Sequence, residues 1–194
     1  MQAPVSRHPL VSSLSTASAV FNTQPPHQPI NASSPASDLG PQAITKLITA
    51  APTSAAVLQL VCSHHRRFDG INTVTALHRT VKHLKPADKE AVLGHPGYAQ
   101  LLPLVAAHAP ALAARGAANA LYALAKLPVP PQPQLLNALI ASVRRTLLDM
   151  GPQHVSNSVW ALAHMRHHPG ADVLSSIASK AADIFADMQN QVSA

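Results

Sequence analysis

Residues 117–127 read AANALYALAKL, and residues 155–165 read VSNSVWALAHM. Laid over one another, Asn119 falls on Asn157, Ala123 on Ala161, Leu124 on Leu162 and Ala125 on Ala163, each pair 38 residues apart. Such identities are cheap in a chain rich in Ala and Leu. The match of Tyr122 with Trp160 is not, because the 194 residues hold one Trp and two Tyr. The register continues outward. Leu101 meets Leu139, Val105 meets Val143, Leu136 meets Leu174, and Asp149-Met150 meets Asp187-Met188. Three long helices near 98–114, 134–149 and 172–188 therefore share one spacing. An earlier relative places Asn72, Val74, Ala76 and Leu77 on Asn119, Leu121, Ala123 and Leu124, at the longer offset of 47.

The apolar period from Pro41 onward is helical throughout. Ile44, Leu47, Ile48 and Ala51 share a face, as do Val57, Leu58, Val61 and Cys62. Val74, Leu77, Val81 and Leu84 form the next stripe, and Leu101, Leu102, Val105 and Leu112 another. Pro52 and Pro86 end helices, and Pro52-Thr53-Ser54 can start one. No alternating strand pattern of useful length occurs. A helical repeat of this length cannot bury its stripe alone, whereas stacked pairs share one core. The expected fold is all-α, an α-solenoid of antiparallel helix pairs repeating at about 38 residues.

Composition sets limits. Hydrophobic residues make up 47 % and aromatics 3 %, so the core is Leu, Ala, Val and Ile. The formal net charge of +6 favours anionic partners and says nothing about fold. Cys62 is the single cysteine, which rules out an intramolecular disulfide and any CxxC metal motif. No apolar run is long enough for a membrane span. Residues 1–40 are rich in Ser, Pro and Ala, with Asp38 as their first acid. That composition is typical of an organelle transit peptide, the alternative being a plain disordered leader. The expected organisation is a disordered leader at 1–40, a helical cap or degenerate repeat at 41–114, and helical repeats at 115–194.

The unit formed by QHVSNSVWALAHM at 153–165, followed by a turn and a longer helix, resembles the octotricopeptide repeat family of algal organelle proteins. It is also similar to the related FAST-kinase-like helical repeats. Residues 117–127 carry the resemblance with Tyr122 in place of Trp, and residues 44–84 look like the unit that precedes the repeats. The resemblance implies sequence-selective binding to single-stranded organellar transcripts, in the chloroplast or alternatively the mitochondrion, to stabilise, process or translate them. Other proteins of an organellar RNA complex are its further implied partners. Two departures stand out. The repeats are few, and Val192-Ser193 resembles Val155-Ser156 just where another signature helix is due, as in a fragment of a longer repeat protein.

Cations are the candidate contacts to RNA. Between residues 41 and 171 stand 12 Lys+Arg against 4 Asp+Glu. A basic stripe repeated along stacked helices neutralises phosphates and releases counterions. Arg79, Lys82, Lys126, Arg144, Arg145 and Arg166 are expected on one continuous face, with His164 among the RNA contacts at the repeat position of Lys126 and Gln153, His154, Asn157 and Ser158 as the readers of bases. The competing reading is a solvated helix face. Lys126 and His164 occupy one repeat position, and the exposed reader positions of the other repeat are Arg115, Gly116, Asn119 and Ala120. Asn72, Asn119 and Asn157 are expected to bond between repeats or to nearby backbone. Tyr122 and Trp160 are expected in the core, with base stacking as the alternative. Catalytic motifs (P-loop, GxSxG, HExxH) are missing from the sequence, and CSHH at 62–65 lacks a second ligand pair, so neither enzyme, metal nor cofactor is expected. The competing functional class is a protein-interaction scaffold.

Overall fold

The computed structural model describes residues 39–192, so the expected leader falls almost wholly outside the described residues. These residues form nine α-helices and no strand: α1 (Pro41–Ala50), α2 (Ser54–His64), α3 (Gly70–Lys82), α4 (Lys89–Leu93), α5 (Pro96–His108), α6 (Ala114–Ala125), α7 (Pro133–Thr146), α8 (Pro152–His164) and α9 (Ala171–Val192). No described helix is long and apolar enough to cross a membrane.

Proline writes many of the starts. Pro41, Pro96, Pro133 and Pro152 each open a helix. Proline's φ is already helical there, and its missing N–H is one that no helix satisfies. Two other starts are capped by side chains. Thr53 Oγ1 accepts from the Ala56 N–H at 3.1 Å, which opens α2 just after Pro52. Asp69 accepts from the Asn72 N–H at 2.7 Å while Asn72 Oδ1 accepts from the Asp69 N–H at 3.3 Å, a reciprocal cap on α3. Two of the three long helices stop sooner than the apolar pattern suggests, and the third, α9, runs on to Val192. α5 gives way to a tighter turn at Ala109–Ala111, where Pro110 has no N–H to continue the ladder, and α7 ends in a similar turn at Leu147–Asp149.

Packing follows the apolar stripes. α3 lies between α1 and α6, and α6 lies between α3 and α8. The intervening helices meet likewise, α2 with α5 and α5 with α7, while α9 packs on α8 and on the turn after α7. Leu77, Leu101, Leu121, Leu124, Leu139 and Met150 are among the largest fully buried side chains. Burying each contributes about 1.5–3 kcal/mol. Alanine lets α6 fit between two neighbours, for Ala117, Ala118, Ala120 and Ala123 are all buried.

Polar side chains stitch the layers. Ser54 Oγ donates to the Thr80 carbonyl at 2.8 Å, and Ser142 Oγ donates to that of Ala109. Asn72 Nδ2 donates to the Pro41 carbonyl at 2.9 Å and to Thr45 Oγ1 at 2.7 Å. Gly97 marks a close approach. A Cβ there would lie 2.2 Å from the Leu58 carbonyl oxygen, so only glycine lets α5 cross α2 at this distance.

Candidate nucleic-acid interface

On α6 the residues that escape burial are Arg115, Gly116, Asn119 and Tyr122, with Lys126 at the cap. Arg115, Asn119, Tyr122 and Lys126 recur at i, i+4, i+7 and i+11, one stripe of a helix. The counterparts on α8 are Gln153, Asn157, Trp160 and His164, and none of these four is buried. Because α6 packs on α8, the two stripes run side by side.

Rings and cations meet along these stripes. The Tyr122 and Trp160 centroids are 4.8 Å apart with planes tilted by 47°. His164 lies over Trp160 at 4.6 Å, its plane nearly parallel at 12°. Lys126 Nζ sits 4.4 Å from the Tyr122 centroid and 5.8 Å from that of Trp160. Each helix thus places a cationic or imidazole group four residues beyond an aromatic ring, one turn apart on the same face. Trp160 is 39 % exposed and Tyr122 half-buried. The expectation that both rings pack in the core is therefore corrected. Leu121 and Leu124 already fill the α6 side of the core, and position 122 lies a third of a turn round from Leu121.

α3 continues the arrangement at a register that sequence matching missed. Its unburied stripe is Ile71, Thr75, His78 and Lys82, which stands 44 residues before Arg115, Asn119, Tyr122 and Lys126. His78 thus takes the ring position and Lys82 the cation position. Burial, and then the charges of Lys82 and Lys126, hold the His78 pKa below its ordinary 6.5, so both ammonium groups act on this imidazole. The offset of 47, drawn through the asparagines, is corrected. Asn72 is wholly buried in the α1–α3 contact, whereas Asn119 and Asn157 are half-buried on the outward stripes and form no side-chain hydrogen bond with another described residue.

The other expected contacts are placed elsewhere, and the single continuous cationic face divides. Arg79 turns onto α1, donating to the carbonyls of Thr49 and, at 3.2 Å, Ala51. Those are carbonyls a helix end leaves without partners. Arg145 donates to the Leu112 carbonyl at 2.6 Å. Arg144 Nη1 pairs with Asp172 Oδ2 at 3.1 Å, both groups largely exposed. These two arginines line a groove of about 720 Å³ with His167, His168 and Asp172, beside α9 rather than on the ring-bearing helices. His154 Nδ1 accepts from the Gly151 N–H at 3.3 Å and so closes the start of α8. Arg166 follows α8 in the left-handed region at φ 51°. Lys82, Lys126 and His164 remain with the rings, joined by His78, which sequence reasoning did not place among the contacts, and by Tyr122 and Trp160, for which it gave base stacking as the alternative. The repeated ring-then-cation spacing of four residues was the signal for them.

Among the described residues no three His, Cys, Asp or Glu side chains are grouped to hold a metal ion. Comparison with known proteins finds no match to any family model, any curated protein or any solved structure.

Proposed function

We propose that this chain is an RNA-binding α-solenoid that holds a single strand across α3, α6 and α8, in the manner of organellar, and foremost chloroplast, transcript-binding repeat proteins. The carrying observation is the threefold recurrence, on adjacent helices, of a ring followed four residues on by a lysine or an imidazole: His78 with Lys82, Tyr122 with Lys126, and Trp160 with His164. Neighbouring helices stand about 8–10 Å apart, so each couple serves its own nucleotide. Rings stack on bases without regard to sequence, and the cations meet phosphates. The half-buried Asn119 and Asn157 beside the rings offer amide groups to base edges. Two rows of helices in chain order, with each pair touching the next, support the solenoid reading.

Few cations mean modest affinity. With about two phosphates neutralised, by Lys82 and Lys126, log K falls against log salt with a slope of about −1.4 for a single strand. The test is a fluorescence-anisotropy titration of the full chain with mixed-sequence single-stranded RNA at two salt concentrations. The expected result is salt-sensitive, micromolar binding. Lys82→Glu with Lys126→Glu should weaken it at least about tenfold, or ~1.4 kcal/mol, with helical content unchanged. A folded protein that ignores RNA, or a double variant that binds as well as the parent, rejects the proposal.

A further inference from the structure

The 38-residue register sets residues 144–145 on 106–107 and residues 167–172 on 129–134. At the earlier junction these positions hold Ala106, Ala107, Val129 and Pro130. At the later one they hold Arg144, Arg145, His167 and His168. The junction thus folds without basic side chains in one repeat and gathers four in the next, so packing does not call for them. All four line the groove of about 720 Å³ between α7 and the start of α9. Arg145 is tethered there by the Leu112 carbonyl at 2.6 Å, a neutral partner that fixes one N–H of five and leaves the charge in place. Arg144 already holds an anion, for its Nη1 meets Asp172 Oδ2 at 3.1 Å. Both side chains of that pair are about 60 % exposed, and an ion pair so open to water exchanges readily. His168 Nδ1 accepts from the Gly170 N–H at 3.2 Å, which puts the proton of the neutral ring on Nε2. Asp172 and Val173 stand in the first turn of the 22-residue α9, where N–H groups lack partners within the helix.

We infer that this groove binds a phosphomonoester, whose phosphate takes the place of the Asp172 carboxylate on Arg144. A phosphomonoester offers three outward oxygens and nearly two charges. It can therefore take a guanidinium side-on and meet the N–H groups of α9 and an imidazole N–H at once. The Asp172 carboxylate, held by its own backbone in that first turn, reaches only Arg144 among these groups. The groove lies within the range of small-molecule sites, about 300–1,000 Å³, so it has room for the rest of an ester beside Ile140 and Ala141. The site lies apart from the ring-bearing stripes and does not rest on RNA binding. The ester is either a free phosphorylated small molecule or the phosphorylated end of a nucleic acid strand.

Backbone-amide NMR of the full chain, titrated with ribose 5-phosphate and separately with ribose at matched ionic strength, tests this. Ribose 5-phosphate should give saturable shifts at Asp172 and Val173 with a dissociation constant of about 1 mM or below, and ribose none. Arg144→Gln alters an exposed side chain and should weaken binding about tenfold or more, with the circular dichroism unchanged. Asp172→Asn removes the competing charge and should tighten it. Lys82→Glu with Lys126→Glu should leave it unaltered, whatever that pair does to RNA. Shifts that do not saturate, an equal response to ribose, or an Arg144→Gln protein that binds like the parent overturns the inference. Loss of binding in the double lysine variant overturns the separateness of the site, and unchanged binding in Asp172→Asn overturns the displacement. RNA with a 5′-phosphate that outbinds its 5′-hydroxyl twin, an advantage lost in Arg144→Gln, makes the ester a strand end. Equal binding of the two strands makes it a free small molecule.

Discussion

Trp160 shows how much one position can carry. It touches Tyr122 of the neighbouring helix and His164 of its own, yet keeps over a third of its surface in solvent. Trp160→Ala should cost about 1–2 kcal/mol of stability, below the ~3–5 of a buried ring, and about tenfold in RNA affinity. Urea unfolding and anisotropy on one preparation separate the two effects, and a stability loss at the buried value would return the ring to the core. Arg166 is the opposite case, a residue in a place better suited to glycine. Its N–H bonds the Ala163 carbonyl at 3.0 Å and the His167 N–H bonds that of Leu162 at 3.0 Å, the pattern of a left-handed helix stop. A side chain there costs about 1 kcal/mol, so Arg166→Gly should raise the unfolding free energy by roughly that amount. A lower melting temperature would instead mean that the guanidinium supports the fold.

At the level of helices, close approach depends on what is missing from the surface. α6 is fitted between α3 and α8 by alanines, and α5 reaches α2 through Gly97. Gly97→Ala must push apart two backbones rather than a flexible side chain, because the nearest atom is the Leu58 carbonyl oxygen. Overpacking of this kind costs typically ~1–3 kcal/mol, more where backbone must move. Gly151, which has open space around it, is the control: Gly151→Ala should leave thermal stability nearly unchanged. Equal losses at the two sites would show that the α2–α5 contact is not what the Gly97 substitution measures.

Across the whole molecule, charge links folding to binding with opposite signs. His78 is held below its ordinary pKa by burial first and by Lys82 and Lys126 next. The unfolded chain thus takes up this proton more readily than the folded one. Stability from this group is complete above about pH 6.5 and is lost as pH falls through the lower folded value. An RNA phosphate beside His78 would favour its charged form, so affinity should strengthen over the same descent in pH. Denaturation and anisotropy from pH 7.5 to 5 should therefore diverge, and His78→Gln should reduce the pH response of both, His83, whose pKa is lowered likewise, keeping part of the stability response. Affinity that does not respond to pH places His78 outside the interface.

The sequence by itself settled the all-helical class, the 38-residue spacing and most helix starts, because apolar period, proline at the first helical turn and side-chain caps act within a few residues. It also showed that Lys126 and His164 occupy one repeat position. What lay beyond it was which of several helical stripes stays open to solvent, for that depends on what packs beside each helix. Tyr122 and Trp160 read as core because they are aromatic and flanked by Leu121 and Val159, and only the α6–α8 contact shows that Leu121 fills that place. Arg79 and Arg145 read as free cations because nothing local reveals a helix-end carbonyl brought close from 28 or 33 residues away. Matching Asn72 with Asn119 misplaced α3 by one short step, since an asparagine buried as a link to α1 and one left on the surface have the same letter. Leu174, Phe185 and Met188 of α9 were legible as apolar residues. Their exposure was not, because burial belongs to the neighbour that covers a side chain, and the tertiary structure alone shows where that neighbour is missing among the described residues.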